Sequence, residues 1–336
     1  MSYPKHVFLD TEVFTAQQYN FESHQLTAFV EAAKKRDVSL ITTAPTIAEV
    51  QRHIKDRAEE ALRQVELGYK EAMKGAPFLK KWERLAEPPG QKAKSAAARV
   101  GLQSLTRFLG KFPNIHLGYE GVDLAQVMLW YDQALPPFAL GKKRKEFPDA
   151  FAIAIVSEFA TREGHPIAVV SGDQDMGSAC EHKPLLLHFS SLGQLTEAML
   201  DEEGGLAPIK EGILSDLSLL ASAVEDDLIL AGVEHAISHY VLLETTFETK
   251  VKDVNVVGVS LHHASLAFTV YVRAKYTMAE RGEGSSPKLG QMFTQIFRTG
   301  GTAKVKLDPA SHKIQKVTFV EVNDYVFHAT AIPALD

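Results

Sequence analysis

Between residues 6 and 189 the sequence alternates short apolar runs with longer stretches at helical spacing, and few folds accommodate that order. His6-Val7-Phe8-Leu9, Val38-Ser39-Leu40-Ile41-Thr42, Ile167-Ala168-Val169-Val170 and Leu185-Leu186-Leu187-His188-Phe189 are apolar through most of their length. Such runs read as strands, the first and third of them as strands buried in the core. Between the first two, residues 22–36 place Leu26, Phe29, Val30 and Ala33 at helical spacing. Strand, helix, strand in that order implies a parallel sheet with right-handed crossovers. After Pro45, with Thr46 as its cap, residues 47–73 are expected to form a long charged helix carrying Glu49 in its first turn. Further helices are expected over 122–133 and from Pro148-Asp149 onward, where Phe151, Ile153, Ala154, Ile155 and Phe159 supply the apolar side.

The texture changes after Glu202-Glu203-Gly204-Gly205. One helical stretch over 206–230 is followed by alternating segments rich in Val, Thr, Tyr and Phe (240–251, 254–276, 291–306 and 313–327), which read as antiparallel strands. The expected organisation is therefore two domains. Residues 1–203 form an α/β unit with a central parallel sheet flanked by helices, and 206–336 form a smaller α+β unit of unassigned role. Formal charge divides along the same line. The chain has 36 basic and 42 acidic residues, net −6, and the whole deficit lies beyond residue 200. Within the first domain, residues 74–111 carry nine basic residues against two acids, a basic helical insertion. A single cysteine, Cys180, excludes a disulfide framework and a cysteine-rich metal site. No apolar run is long enough to span a membrane, and the first ten residues lack a secretion signal, so the expected location is the cytoplasm.

The acids of the first domain carry the chemistry. Asp10 and Asp173 each end an expected strand, and Glu49 and Asp149 lie near expected helix starts. In an open α/β sheet those positions converge on the crevice at the carboxyl ends of the strands. Crowded carboxylates cannot all stay ionised without cations, so the pattern predicts raised pKa values or a bound divalent metal, with Mg²⁺ or Mn²⁺, one or two ions, as the natural occupant. Hard metal held by carboxylates beside basic residues suggests phosphodiester hydrolysis. Lys80, Lys81, Lys92, Lys94, Lys142, Lys143, Arg144 and Lys145 are the candidates for contact with a nucleic-acid backbone.

Four segments together resemble the PIN domain: Val7-Phe8-Leu9-Asp10-Thr11, Thr46-Ile47-Ala48-Glu49-Val50, Glu146-Phe147-Pro148-Asp149-Ala150 and Val169-Val170-Ser171-Gly172-Asp173-Gln174-Asp175. The basic insertion and the Lys/Arg-rich lead into Glu146 are similar to its DUF4935 branch. The resemblance covers about residues 5–190. It implies a metal-dependent endoribonuclease in which Asp10, Glu49, Asp149 and Asp173 hold metal, Asp175 is a fifth candidate, and Thr11 and Ser171 support them through their hydroxyls. Glu12 stands where the family commonly has Asn, which adds a carboxylate to the site.

Two other readings stay open at this level. Asp10-Thr11-Glu12 after a strand superficially suggests a haloacid-dehalogenase-like phosphatase with Asp10 as nucleophile, although such an enzyme calls for Asp at the second position. A nuclease fold that has lost activity and serves as a binding module is the other. For the C-terminal domain, self-association or a protein partner is the expectation, because the charge of −6 carried beyond residue 200 disfavours nucleic acid by field alone.

Overall fold

The computed structural model describes residues 3–78, 91–138, 146–201, 204–231, 240–280 and 291–323. Lys80, Lys81, Lys142, Lys143, Arg144 and Lys145 lie outside these residues, as does the side chain of Lys92. Contacts divide the chain into two compact units, Pro4–Phe21 with Ala33–Ser191, and Met1–Tyr3 with Glu22–Ala32 and Leu192–Asp336.

The α/β unit begins with β1 (His6–Leu9) and α1 (Thr11–Ala16). Helix α2 (His24–Lys35) follows, most of it grouped with the other unit. Next come β2 (Ser39–Thr43), α3 (Ala44–Gly75), α4 (Gln91–Leu109), β3 (Asn114–Leu117), α5 (Leu124–Gln133), α6 (Phe147–Glu163), β4 (Ile167–Val170), α7 (Gln174–Glu181) and β5 (Leu186–Phe189). All five strands are parallel in the order β3-β2-β1-β4-β5, with Phe8 paired to Ile41 on one side and to Val169 on the other. Strand order reverses between β1 and β4, which opens a crevice at their carboxyl ends. Phe8, Ile41, Ile167 and Val169 form the centre of the core with α6. That helix buries Ala150, Ala152, Ile153, Ala154, Ile155, Val156, Phe159 and Ala160, so it is apolar on nearly every side, as a helix set deep in a core must be.

Two local expectations are corrected. Helix α3 starts at Ala44 and is capped by Thr43, whose hydroxyl accepts the N–H of Thr46 at 3.4 Å. Proline lacks an N–H and suits a first turn, where that group has no partner, so Pro45 lies inside the helix and Glu49 falls in the second turn. The edge strand β3 was not anticipated, because only alternate residues of Asn114-Ile115-His116-Leu117 are apolar.

The second unit contains α8 (Leu192–Leu200), α9 (Ala207–Leu214) and α10 (Ser218–Ala231). Its antiparallel sheet runs in the order β6 (Tyr240–Ser260), β7 (His263–Glu280), β8 (Gln291–Leu307) and β9 (Ile314–Val322). The single helix expected over 206–230 is two, and the strand break expected at 252–253 is a bulge. Asp253 takes a left-handed conformation (φ 50°) and the strand continues to a turn at Leu261-His262. Leu206, Ile213, Leu220, Val224 and Leu228 pack on one face of this sheet, against Val256, Leu266, Val270, Val272 and Val305. Among the described residues no helix is long and apolar enough to cross a membrane.

Candidate metal centre

Asp10 leaves β1 at the reversal of strand order, its N–H donating to the carbonyl of Val170 at the end of β4 (3.0 Å). Its carboxylate is buried. Oδ1 accepts the N–H of Thr11 at 2.7 Å, which caps α1, and Oδ2 accepts the hydroxyl of Ser171 at 2.7 Å. Ser171 is fully buried and works in both directions, since its Oγ also accepts the N–H of Asp173 at 3.1 Å. Its carbonyl accepts from Nε2 of His188 at 2.8 Å, so that nitrogen carries the ring proton. Asp173 is exposed and caps α7 through the N–H of Asp175, at 2.8 Å from its Oδ1.

Glu49 arrives from α3. Thr11 donates its hydroxyl to Glu49 Oε2 at 3.0 Å, and Arg52 donates to Oε1 at 3.2 Å. His53 Nε2 stands 3.8 Å from the same oxygen. Its other ring nitrogen is 2.8 Å from the hydroxyl of Tyr19, which in turn lies 2.8 Å from Thr15 Oγ1. Thr11 therefore ties Asp10 and Glu49 together, with its backbone on one and its hydroxyl on the other. Glu12, exposed in the first turn of α1, reaches over Gly172. A Cβ at position 172 would sit 2.8 Å from Glu12 Oε1, so the glycine leaves room for that carboxylate.

The start of α6 completes the pocket. Glu146, Asp149 and Asp173 each offer a carboxylate oxygen, and these three atoms lie within 4.8 Å of one another. Glu146 was not singled out from the sequence. The available signal was its position three residues before Asp149, which puts both carboxylates at one end of the same helix. Asp175, in the first turn of α7, is outside this group of three, and its backbone N–H serves Asp173.

The charges confirm the crowding. Burial raises the Asp149 carboxyl to about 8, with further upward pushes from Asp10, Glu49 and Glu146. Burial also raises Asp10 to about 6, opposed by the bonds from Ser171 and Thr11 and reinforced by Glu12 and Glu49. Of the basic side chains described, Arg52 and His53 approach this cluster, and both engage Glu49. A pocket of carboxylate oxygens with excess negative charge matches the donor preference of a hard divalent cation. Cys180 is buried, and burial pushes its thiol up to about 12.

A model of the PIN domain matches residues 7–176, just over half of the chain, and includes every acid named above. The chain belongs to the PIN domain family. PIN domains are typically nucleases that use divalent metal. No curated protein and no solved structure matches the chain. Within the PIN domain, α4 of the basic insertion packs along α3, and Lys94 stands 3.9 Å from Glu66.

Proposed function

We propose that the chain is a metal-dependent endonuclease that hydrolyses phosphodiester bonds of single-stranded RNA, with Asp10, Glu49, Asp149 and Asp173 as metal-holding acids, joined by Glu146. The observation that carries this reading is the convergence of carboxylates from β1, α3, α6 and the β4–α7 turn on the crevice where strand order reverses. When bound, Mg²⁺ or Mn²⁺ would supply Lewis acidity and lower the pKa of water for in-line attack on phosphorus. The residues supply position. Ser171 and Thr11 fix Asp10 in one orientation, and Thr11 and Arg52 do the same for Glu49. Asp173 is held by the turn that it caps. Asp175 and Glu12 border this set, and Lys80, Lys81, Lys92, Lys94, Lys142, Lys143, Arg144 and Lys145 are assigned the phosphate contacts. The family match supports the nuclease class; RNA as substrate and the assignment of individual acids are the parts to be tested.

The purified chain, incubated with end-labelled single-stranded and duplex RNA and DNA, is expected to cut single-stranded RNA internally with Mn²⁺ or Mg²⁺ and not with EDTA. Asp10→Asn and Asp173→Asn should each lower the rate at least about 100-fold, the scale on which loss of a metal-supporting group acts. Cleavage that persists in both variants, or in EDTA, refutes the assignment.

A further inference from the structure

The C-terminal sheet has two faces of opposite chemistry. One is covered by α9 and α10. On the other, strand register places Lys250 and Arg298 directly opposite Tyr271, and Glu248 and Ile296 opposite Arg273. Residues opposite one another share a face, so these side chains project together. That part of the face is open: Tyr271 is 37% exposed and Ile296 68%. Lys250, Lys252, Arg273 and Arg298 are exposed as well.

The charge is strongly one-sided. Glu248, the acid within the patch, is already engaged by Arg273 at 3.3 Å and by Lys275, and Glu244, opposite Thr277, lies past Lys275 at its end. Lys250, Lys252 and Arg298 have no carboxylate partner among the described residues. Two of them lie over the aromatic ring, with Lys252 Nζ 5.2 Å and Arg298 Cζ 5.8 Å from the centroid of Tyr271, and an incoming base takes their place on its face. The regional charge of −6, which argues against nucleic acid at the level of composition, averages over this surface and conceals it.

We propose that this face, Tyr271 ringed by Lys250, Lys252, Arg273, Lys275 and Arg298, binds single-stranded nucleic acid outside the metal centre. The chemistry follows from the arrangement. A flat ring stacks on any unpaired base, and cations around it meet the phosphates on either side. From Lys252 to Lys275 the patch extends roughly 20 Å along the strands, at about 3.3 Å per residue, enough for a few nucleotides. A duplex, whose bases are stacked inside, has nothing to offer the ring. An acidic polypeptide would satisfy the cations and leave the ring without a role.

Binding needs no turnover, so this inference and the nuclease reading can fail separately. Fluorescence anisotropy of a labelled oligouridylate of about 12 nucleotides, titrated with the full chain in EDTA, measures it directly. Tyr271→Ala is expected to weaken binding about 5- to 100-fold, the range for loss of one stacked base, whereas Tyr271→Phe keeps the ring and stays within about twofold. Lys250→Gln with Arg298→Gln should reduce the slope of log Kd against log salt by about 1.4, at roughly 0.7 for each lost phosphate contact. Thermal melts that match the wild type show that the variants are folded. The proposal is overturned if Tyr271→Ala and the double cation variant bind as the wild type does. It is also overturned if duplex RNA binds as tightly as the single strand, or if poly-glutamate displaces the RNA as well as unlabelled oligouridylate.

Discussion

Asp149 and Ser171 show how differently two residues of one pocket should respond to substitution. Asp149 is pressed by burial and by three neighbouring carboxylates, so its ionised form is disfavoured in the folded chain relative to the unfolded one. Asn keeps the shape and removes the charge. Asp149→Asn is therefore expected to stabilise the metal-free protein by on the order of 1–3 kcal/mol near pH 8, to have no such effect near pH 4, and to lose the melting shift produced by Mn²⁺. Thermal denaturation with and without Mn²⁺ checks both halves, and a destabilised variant at pH 8 would mean that Asp149 is not under like-charge pressure. Ser171→Ala should go the other way. It leaves the buried Asp10 Oδ2 without its hydroxyl donor and the Asp173 N–H without its acceptor, for a loss of about 1–3 kcal/mol in urea denaturation, with slower cleavage because Asp10 is no longer held. At this scale the sequence was informative about type more than about contact. Asp10, Asp149 and Asp173 could be placed because each borders a recognisable strand or helix start. The Thr11 bridge to Glu49 and the His53–Tyr19 pair could not, since they depend on which turn of α3 faces α1.

Close approach of α3 and α4 sets the position of the helical insertion, and one glycine permits it. A Cβ on Gly101 would lie 2.5 Å from Cγ2 of Ile54, a buried and rotationally stiff side chain. Exchanging Gly for Ala inside a helix ordinarily gains about 1 kcal/mol of stability. Here overpacking, at about 1–3 kcal/mol, should win, so Gly101→Ala is expected to destabilise in urea titrations. Combining it with Ile54→Ala should recover part of the loss, giving a double-mutant coupling above about 0.5 kcal/mol; a stabilising Gly101→Ala would show that the helices stand apart. The same scale explains what was legible in the fold. β1, β2 and β4 announce themselves because central parallel strands must be apolar on both faces, and their alternation with helices makes the PIN domain's sheet parallel. Of the two edge strands, β5 is still legible through Leu185-Leu186-Leu187, whereas β3 hides because only alternate residues in it are apolar. Asp253 misleads in the opposite direction: a polar, left-handed residue in a strand reads as a turn, whereas neighbouring strands absorb it as a bulge.

For the molecule as a whole, net charge says little until it is resolved by surface. Crowded acids gather at one crevice of the PIN domain, and the stretch beyond residue 200, which holds the entire deficit, still presents a cationic sheet face. Stability should report the crowding. Asp10 and Asp149 both titrate higher in the folded chain than in the unfolded one, at about 6 and about 8 against an ordinary aspartate near 3.8. Between roughly pH 4 and 8 the folded state then binds more protons than the unfolded state, and stability falls as pH rises through that window. His6, whose pKa is lowered first by burial, acts in the opposite sense, but only below its own ordinary titration range. Metal-free protein is therefore expected to melt progressively lower from pH 5 to pH 8, by several degrees at about 2–4 °C per kcal/mol, and to level off above. A divalent cation that binds the ionised pocket reverses the slope, because protons compete with it less as pH rises. The melting shift caused by Mn²⁺ should thus be small at pH 5 and largest near pH 8. A shift independent of pH would place the ion outside the Asp10–Asp149 pocket, and a metal-free melting temperature that climbs from pH 5 to 8 would show that these carboxyls are not under strain.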